Sequence, residues 1–177
     1  MAKMNLKKVV SRFLIPKFLV TIYYFLKFRA KVSTSAEVEL TNNILLGKGS
    51  AIGSFTKVKA TDGKFLLGER GGIATGCFIS PGEAGIEIGK NFVCGPNVVI
   101  TSSNYITDQK NVHFEDQGVT SKGIKIGNNV WIGGGSVILD GTVIGDNSIV
   151  VANSLVNRRF KSDVVIQGNP AKVLITR

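Results

Sequence analysis

A six-residue spacing of aliphatic side chains constrains the fold more than any other feature of the chain. In the C-terminal part the series has no gap and consists of Ile126, Ile132, Ile138, Ile144, Val150 and Val156. Upstream, the same spacing restarts at Leu46, Leu67 and Ile88. A fixed period of this kind predicts a solenoid, in which three hexapeptides form one triangular coil and the aliphatic side chains stack inward.

The interruptions of the repeat predict turns and one long loop. Short insertions fall near Asp62-Gly63-Lys64 and Gly82-Glu83-Ala84, which are turn-like segments. A longer interruption covers roughly residues 106–125. We therefore expect an all-β fold, a parallel β-helix of about five to six coils, in a domain of residues 36–177. Residues 1–35 are expected to form a helical arm that precedes it.

The N-terminal arm is basic and apolar, whereas the rest of the chain is nearly neutral. Residues 1–31 carry eight of the 22 basic residues, and no acidic residue precedes Glu37. The rest of the chain has 14 basic and 12 acidic residues. It therefore lacks the excess of positive charge that is typical of nucleic-acid-binding domains, and no nucleic-acid partner is expected.

Two interpretations of the arm remain open. The residues Leu6, Val9, Val10, Phe13 and Leu14 would share one face of a helix. The following apolar segment, Phe18 to Leu26, is too short to cross a bilayer, which needs about 20 residues. In one, residues 1–31 contact anionic lipid head groups as an interfacial anchor; in the other, they pack on the domain or in an oligomer contact. The two can both hold in part.

Three motifs carry a resemblance to a known family. They are IGNNVWIGGG at 126–135, IGDNS at 144–148 and GNPAK at 168–172. With these motifs, residues 46–175 resemble the hexapeptide-repeat acyltransferases, most closely the sugar O-acetyltransferase branch. The resemblance implies a left-handed β-helix, a homotrimer, and acetyl transfer from acetyl-CoA to a saccharide hydroxyl in surface polysaccharide biosynthesis. It also implies that the enzyme needs no metal and is cytoplasmic. The basic arm would bring the enzyme to the inner face of the membrane, where it would meet a lipid-linked acceptor.

The resemblance also assigns candidate cofactor and substrate residues. In the family, acetyl-CoA lies between adjacent subunits, and the matching positions for its pantetheine arm are Gly133, Gly134, Val151, Ala152 and Asn153. The candidates for its phosphates are Arg158, Arg159 and Lys172, because cations suit that charge. The candidates for contact with the acceptor are Asn104, Asp108 and Trp131.

The catalytic position departs from the family pattern. Relatives carry a histidine after a small polar stretch before the long loop, and here Tyr105 follows the matching stretch TSSN. A phenol with a pKa of about 10 is a poor base at neutral pH. Three hypotheses stay open: His113, the only histidine, is the base; the protein binds but no longer transfers; or a loop carboxylate acts, the candidates being Asp108, Glu115 and Asp116.

Other functions remain alternatives at this point. The same groove could support N-acetylation of an amino sugar, or the chain could be a non-catalytic trimer that binds CoA or a partner. A β-helical carbonic anhydrase is excluded because its metal needs several histidines and the chain has one. Cys77 and Cys94 lie in the repeat phase, which predicts small core residues.

Overall fold

The computed structural model describes residues 15–177, and the amphipathic segment predicted from Leu6 to Leu14 lies outside them. Three parallel sheets, which we name A, B and C, form the faces of a triangular prism. Strands are numbered in chain order, and each coil contributes one strand to each sheet. Sheet A holds β1 (Lys31–Val32), β4 (Ala51–Ile52), β7 (Gly72–Ile73), β10 (Val93–Cys94), β15 (Trp131–Ile132), β18 (Ile149–Val150) and β21 (Val164–Gly168), with β22 (Ala171–Thr176) antiparallel to β21.

The other two sheets follow the same order. Sheet B holds β2 (Glu37–Val38), β5 (Lys57–Val58), β8 (Phe78–Ser80), β11 (Val99–Thr101), β16 (Val137–Ile138) and β19 (Leu155–Val156). Sheet C holds β3 (Ile44–Leu46), β6 (Phe65–Leu67), β9 (Ile86–Ile88), β14 (Ile124–Ile126), β17 (Val143–Ile144) and β20 (Arg159–Phe160). The described chain is completed by the helices α1 (Lys17–Phe28) and α2 (Phe114–Gln117) and the hairpin strands β12 (Asn104–Tyr105) and β13 (Val119–Thr120).

The six-residue period produces the core. Side chains alternate between the two faces of a strand, so each short strand of a coil points one or two residues inward, most of them aliphatic. The register stacks Ile73, Cys94 and Ile132 in successive coils, and each is at most 3% exposed. The small residues four positions later, such as Ser136 and Thr142, are fully buried where the chain turns. The prediction of about five to six coils is confirmed, because the described residues form six complete coils. We number them in chain order from coil 1 (β1, β2 and β3) to coil 6 (β18, β19 and β20), and coil 4 consists of β10, β11 and β14.

The coil stack begins earlier than the visible repeat. Strand β1 pairs in parallel with β4, and it starts at Lys31, inside the range expected for the arm. The inward residues Val32 and Val38 keep the six-residue spacing. Leu46 then follows Val38 by eight residues, since 46 − 38 = 8, so the phase that identifies the later coils is broken there.

Helix α1 closes the N-terminal end of the stack. Tyr24 is fully buried, and its hydroxyl donates a hydrogen bond of 2.7 Å to the carbonyl oxygen of Glu39. Arg29 ends the helix in the left-handed conformation (φ 56°), and its carbonyl oxygen accepts from the Gly49 amide at 3.1 Å. The helix is thus continuous with the first corner of the coils and packs on the domain, as one of the two interpretations of the arm predicted. Within residues 15–177, no helix is long and apolar enough to cross a membrane.

Candidate active site

A groove of about 810 Å³ lies at the corner between sheets B and C. This corner carries the insertions of coils 2 and 3 and the long loop of coil 4, and together they form its walls. Eleven residues line it: Thr61, Asp62, Ser80, Pro81, Gly82, Glu83, Ser103, Asn104, Tyr105, Val119 and Ser121. The lining combines carboxylates, hydroxyls and an aromatic ring, a composition suited to a polar organic ligand.

The stem of the long loop is fixed to the coil below it. The Ser121 hydroxyl donates to the carbonyl oxygen of Ser102 at 2.6 Å, and the Ser102 hydroxyl accepts from the Gly82 amide at 2.8 Å. A Cβ atom at Gly82 would lie 2.5 Å from the Ser102 carbonyl oxygen and 2.6 Å from the Ser121 hydroxyl. Glycine at this position therefore lets the loop stem approach the floor of the groove closely.

Asn104 and Tyr105 lie where the loop leaves the stem. They form strand β12, which pairs antiparallel with β13 in the register Asn104–Thr120 and Tyr105–Val119. A hydrogen bond next to this pairing extends the hairpin, because the Ile106 amide donates to the Gly118 carbonyl oxygen at 3.0 Å. Tyr105 is 55% exposed. Both residues line the groove, so a residue at position 105 reaches a ligand bound there.

The loop candidates for the catalytic base lie elsewhere. His113 precedes α2, and its Nδ1 accepts from the Glu115 amide at 3.4 Å. It is exposed and is not among the residues that line the groove, and the same holds for Asp108, Glu115 and Asp116. In the single chain the structure therefore does not bring these four residues to Tyr105.

The sequence analysis did not predict a role for three residues of the groove and its long loop. Asp62 and Glu83 line the groove, although the sequence marked their segments only as turns. Gln117 holds the loop closed, because its amide group donates to the carbonyl oxygens of Gln109 (3.1 Å) and Val112 (2.8 Å) and accepts from the Gln109 amide (3.0 Å). The signal for Asp62 and Glu83 was present in the spacing: their insertions fall after the same strand position as the long loop.

The residues assigned to the pantetheine arm of acetyl-CoA lie at another corner. The pantetheine candidates occupy the turn between sheets A and B in coils 5 and 6, and they are Gly133, Gly134, Val151, Ala152 and Asn153. Coil stacking by itself requires Gly133, because a Cβ atom there would lie 2.7 Å from the Cα atom of Ala152. Within one chain these residues do not meet the groove of Tyr105.

The charged and aromatic candidates are exposed. Arg158 lies in the turn between β19 of sheet B and β20 of sheet C, Arg159 begins β20, and Lys172 lies on β22. Trp131 is 54% exposed on the outer face of sheet A, in register with Val93, which is 51% exposed. These cations are available to a ligand, and the tryptophan forms part of an apolar surface.

The cysteines are core residues, as predicted. Cys77 and Cys94 are 1% and 2% exposed, with their sulfur atoms 3.9 Å apart. The hydrogen bond to Cys77 and burial raise the pKa of the Cys94 thiol. Among residues 15–177, no cluster of three or more histidine, cysteine or carboxylate side chains could hold a metal ion.

Comparison with known proteins confirms the family resemblance. Residues 123–158 match the family model described as bacterial transferase hexapeptide (six repeats). A Dictyostelium discoideum protein named "Putative acetyltransferase" is 53% identical over 91 residues, which are 50% of this chain and 46% of that protein. The chain thus spans about half the length of this curated relative.

Solved structures of similar shape support the fold. An N-acyltransferase from Bacillus cereus, AntD, solved with dTDP and coenzyme A, has a TM-score of 0.76 at 20% identity, with 88% of each chain covered. A maltose O-acetyltransferase from Clostridium difficile has a TM-score of 0.57 at 24% identity, covering 97% of this chain and 89% of its own. The fold is the left-handed parallel β-helix that the resemblance implied.

Proposed function

We propose that this protein transfers an acetyl group from acetyl-CoA to a hydroxyl of a saccharide, in the assembly of a surface polysaccharide. The observation that carries the proposal is the groove between sheets B and C, which presents Asn104 and Tyr105 on a fixed loop stem. The family resemblance implies that this position is catalytic. Its volume of about 810 Å³ suits a sugar-sized acceptor. We infer that the hexapeptide coils at 123–158, which match the family model, would supply the cofactor half of the site.

The acetyl-CoA site would be completed by a second copy of the chain. The pantetheine candidates and the acceptor groove lie at different corners of one prism, so a single subunit holds two separate half-sites. A homotrimer that places the corner of coils 5 and 6 beside the groove of its neighbour would unite them. The exposed apolar side chains of Val93 and Trp131 on sheet A support such a contact, because aromatic residues are enriched at interfaces.

The charges around the cofactor half fit coenzyme A. Arg158 and Arg159 in the last complete coil and Lys172 on β22 are exposed cations, and the phosphates of the cofactor would lie beside them. Guanidinium groups bind phosphate in bidentate geometry, so two adjacent arginines suit this role better than scattered lysines. The binding of the adenosine end would thus depend on the last coil and on β22.

The chemistry requires a base in the acceptor groove. The base removes the proton from the acceptor hydroxyl, the oxygen attacks the thioester carbonyl, and the CoA thiolate leaves. Glu83 and Asp62 line the groove, whereas His113 does not. We infer that Glu83 removes the proton and that Tyr105, a poor base, contacts the acceptor through its hydroxyl group.

Acetyl-CoA turnover with matched variants tests this proposal. CoA release is measured with a panel of saccharides and lipid-linked saccharides, for the wild type and for Glu83→Gln, His113→Ala and Tyr105→His. We expect Glu83→Gln to lower kcat by about 10²–10⁴, with CoA affinity retained, and His113→Ala to behave as the wild type. A loss confined to His113→Ala would identify that residue as a base supplied from the loop and would contradict the assignment to Glu83.

The identity of residue 105 favours a second candidate function, transfer to an amine. A neutral amine is already a nucleophile, so its acetylation depends less on a strong base than that of a hydroxyl. The Caulobacter crescentus perosamine N-acetyltransferase, solved with CoA and GDP-perosamine, has this fold at a TM-score of 0.61 and 21% identity, with 81% of this chain and 55% of its own covered. Faster CoA release with amino sugars than with their hydroxyl analogues would favour this function. CoA binding without turnover on either panel would favour the non-catalytic alternative.

A further inference from the structure

We propose that the outer face of α1 binds an anionic membrane surface and stands the coil stack upright on it. The outer face is defined here as Phe18, Leu19, Ile22, Phe25 and Leu26. The inference concerns membrane attachment and does not depend on the proposed acetyl transfer.

The two faces of α1 are sharply different. At 100° per residue, Val20 and Tyr24 point toward the coils, and both are buried. The five outer-face residues lie on the opposite side and are 46–71% exposed. A twelve-residue helix that already buries one apolar face would thus leave a second apolar face in water. Exposed apolar clusters of this kind mark interaction surfaces.

The charge around the outer face identifies the partner. Lys17 and Lys27 lie near the two ends of the helix, and Arg29 and Lys31 follow it. No acidic residue occurs before Glu37, and the sequence ahead of the helix adds Lys3, Lys7, Lys8 and Arg12. A face of large apolar side chains on a segment whose charged residues are all basic complements a bilayer with anionic head groups. A protein partner would have no comparable need for an uninterrupted excess of cations.

The rigid docking of α1 sets the orientation of the molecule. The buried hydroxyl of Tyr24 bonds to Glu39 in the first coil, and Arg29 is shared between the helix and the first corner. The outer face therefore points away from the coils, along the direction in which they stack. Neighbouring strands lie about 4.8 Å apart, so the groove of coils 2–4 would stand only about 5–15 Å beyond the first coil. That distance suits an acceptor carried on a lipid.

Vesicle binding with fluorescence from two positions tests the inference. Trp131 is the only tryptophan and lies in coil 5, about 19 Å from the first coil at 4.8 Å per coil. In the full-length protein, Trp131 emission should be unchanged by phosphatidylcholine–phosphatidylglycerol vesicles. In the Trp131→Phe background, Phe25→Trp should shift to the blue on vesicle addition and be quenched by bromolipids. Equal quenching at both positions would overturn the upright orientation.

Binding strength provides the second measurement. The double variant Ile22→Gln/Phe25→Gln should weaken vesicle binding at least about tenfold, because it removes two exposed apolar side chains that would enter the bilayer. The matched control Phe114→Gln removes a ring that is 58% exposed on the distant loop, and it should bind as the wild type. Binding should also fall when salt shortens the Debye length from about 10 Å to about 3 Å.

Three outcomes would overturn the inference. The first is a wild type that fails to bind anionic vesicles. The second is a Phe114→Gln variant that loses as much binding as the outer-face variant. The third is Phe25→Trp emission that is already blue-shifted without vesicles, since that would show the face covered by another part of the chain or by a second copy.

Discussion

Removal of the Tyr24 side chain should destabilise the N-terminal end of the coil stack. Tyr24 is fully buried, packs edge-on against Tyr23 at a ring distance of 5.1 Å, and stacks with Phe28 at 6.1 Å. Truncation of a buried aromatic residue to alanine costs about 3–5 kcal/mol. Tyr24→Phe keeps the packing but leaves the Glu39 carbonyl oxygen without this donor, at a cost of about 1–2 kcal/mol.

The adjacent residue provides a matched control. Phe25 is an aromatic residue of similar size one position further along the helix, but it is 46% exposed. Phe25→Ala should change the free energy of unfolding by no more than about 0.5 kcal/mol, as for most surface positions. The pair therefore reports which face of α1 packs on the coils rather than the general cost of losing a ring.

Urea unfolding and hydrogen exchange measure the effect. The free energy of unfolding comes from circular dichroism, and amide exchange in strands β1 and β2 reports opening of the capped end. Terminal units of a solenoid are stabilised only by their neighbours, so exchange should accelerate first in the first coil. Equal stability of Tyr24→Ala and the wild type, or equal losses for Tyr24→Ala and Phe25→Ala, would refute the packing of α1.

Three further predictions concern pH, the groove and the thiols. Burial raises the pKa of Tyr24. The contribution of Tyr24 to the free energy of unfolding is therefore complete below the unfolded pKa of about 10 and is lost as the pH rises above it. In urea titrations at alkaline pH, the free energy of unfolding should fall with pH because of Tyr24 in the wild type, and this fall should be absent in Tyr24→Phe. Gly82→Ala should cost about 1–3 kcal/mol and lower turnover, because its Cβ atom would displace the loop stem; the matched Gly118→Ala substitution, whose nearest neighbour would be Ile106 at 3.9 Å, tests backbone conformation alone. Cys77 and Cys94 should react with a thiol reagent only in urea, since both are at most 2% exposed; rapid labelling of the native protein would contradict their burial.

The sequence predicts the coils because each coil buries aliphatic residues at the same six-residue spacing. An aliphatic residue every six positions identifies the core from Leu46 onward, and the structure buries these residues as expected. The first coil escaped detection because its insertion between Val38 and Leu46 shifts the phase, although Val32 and Val38 keep the spacing. The period reveals successive coils where their insertions have the same length, as in the 21-residue spacing of Leu46, Leu67 and Ile88.

The site was harder to predict because it is built from the parts that do not repeat. Asp62, Glu83 and Tyr105 are far apart in sequence, and they line one groove because three insertions occur at the same corner of successive coils. The spacing locates that corner, but it does not say which side chains face the groove. The position of the loop carboxylates and of His113 depends instead on local contacts such as those of Gln117, which have no period.

The fixed loop stem makes residue 105 a test of chemistry rather than of folding. Ser102, Ser121 and Gly82 hold the stem by hydrogen bonds that do not involve the Tyr105 side chain, and β12 pairs with β13 through the backbone. With the ring 55% exposed, Tyr105→His should alter neither the backbone nor the free energy of unfolding appreciably. A gain in turnover would then arise from the imidazole acting as a base near neutral pH, and a loss would indicate that the phenol contacts the acceptor. Unchanged turnover would assign the proton transfer to other groups of the groove, with Glu83 the first to be substituted.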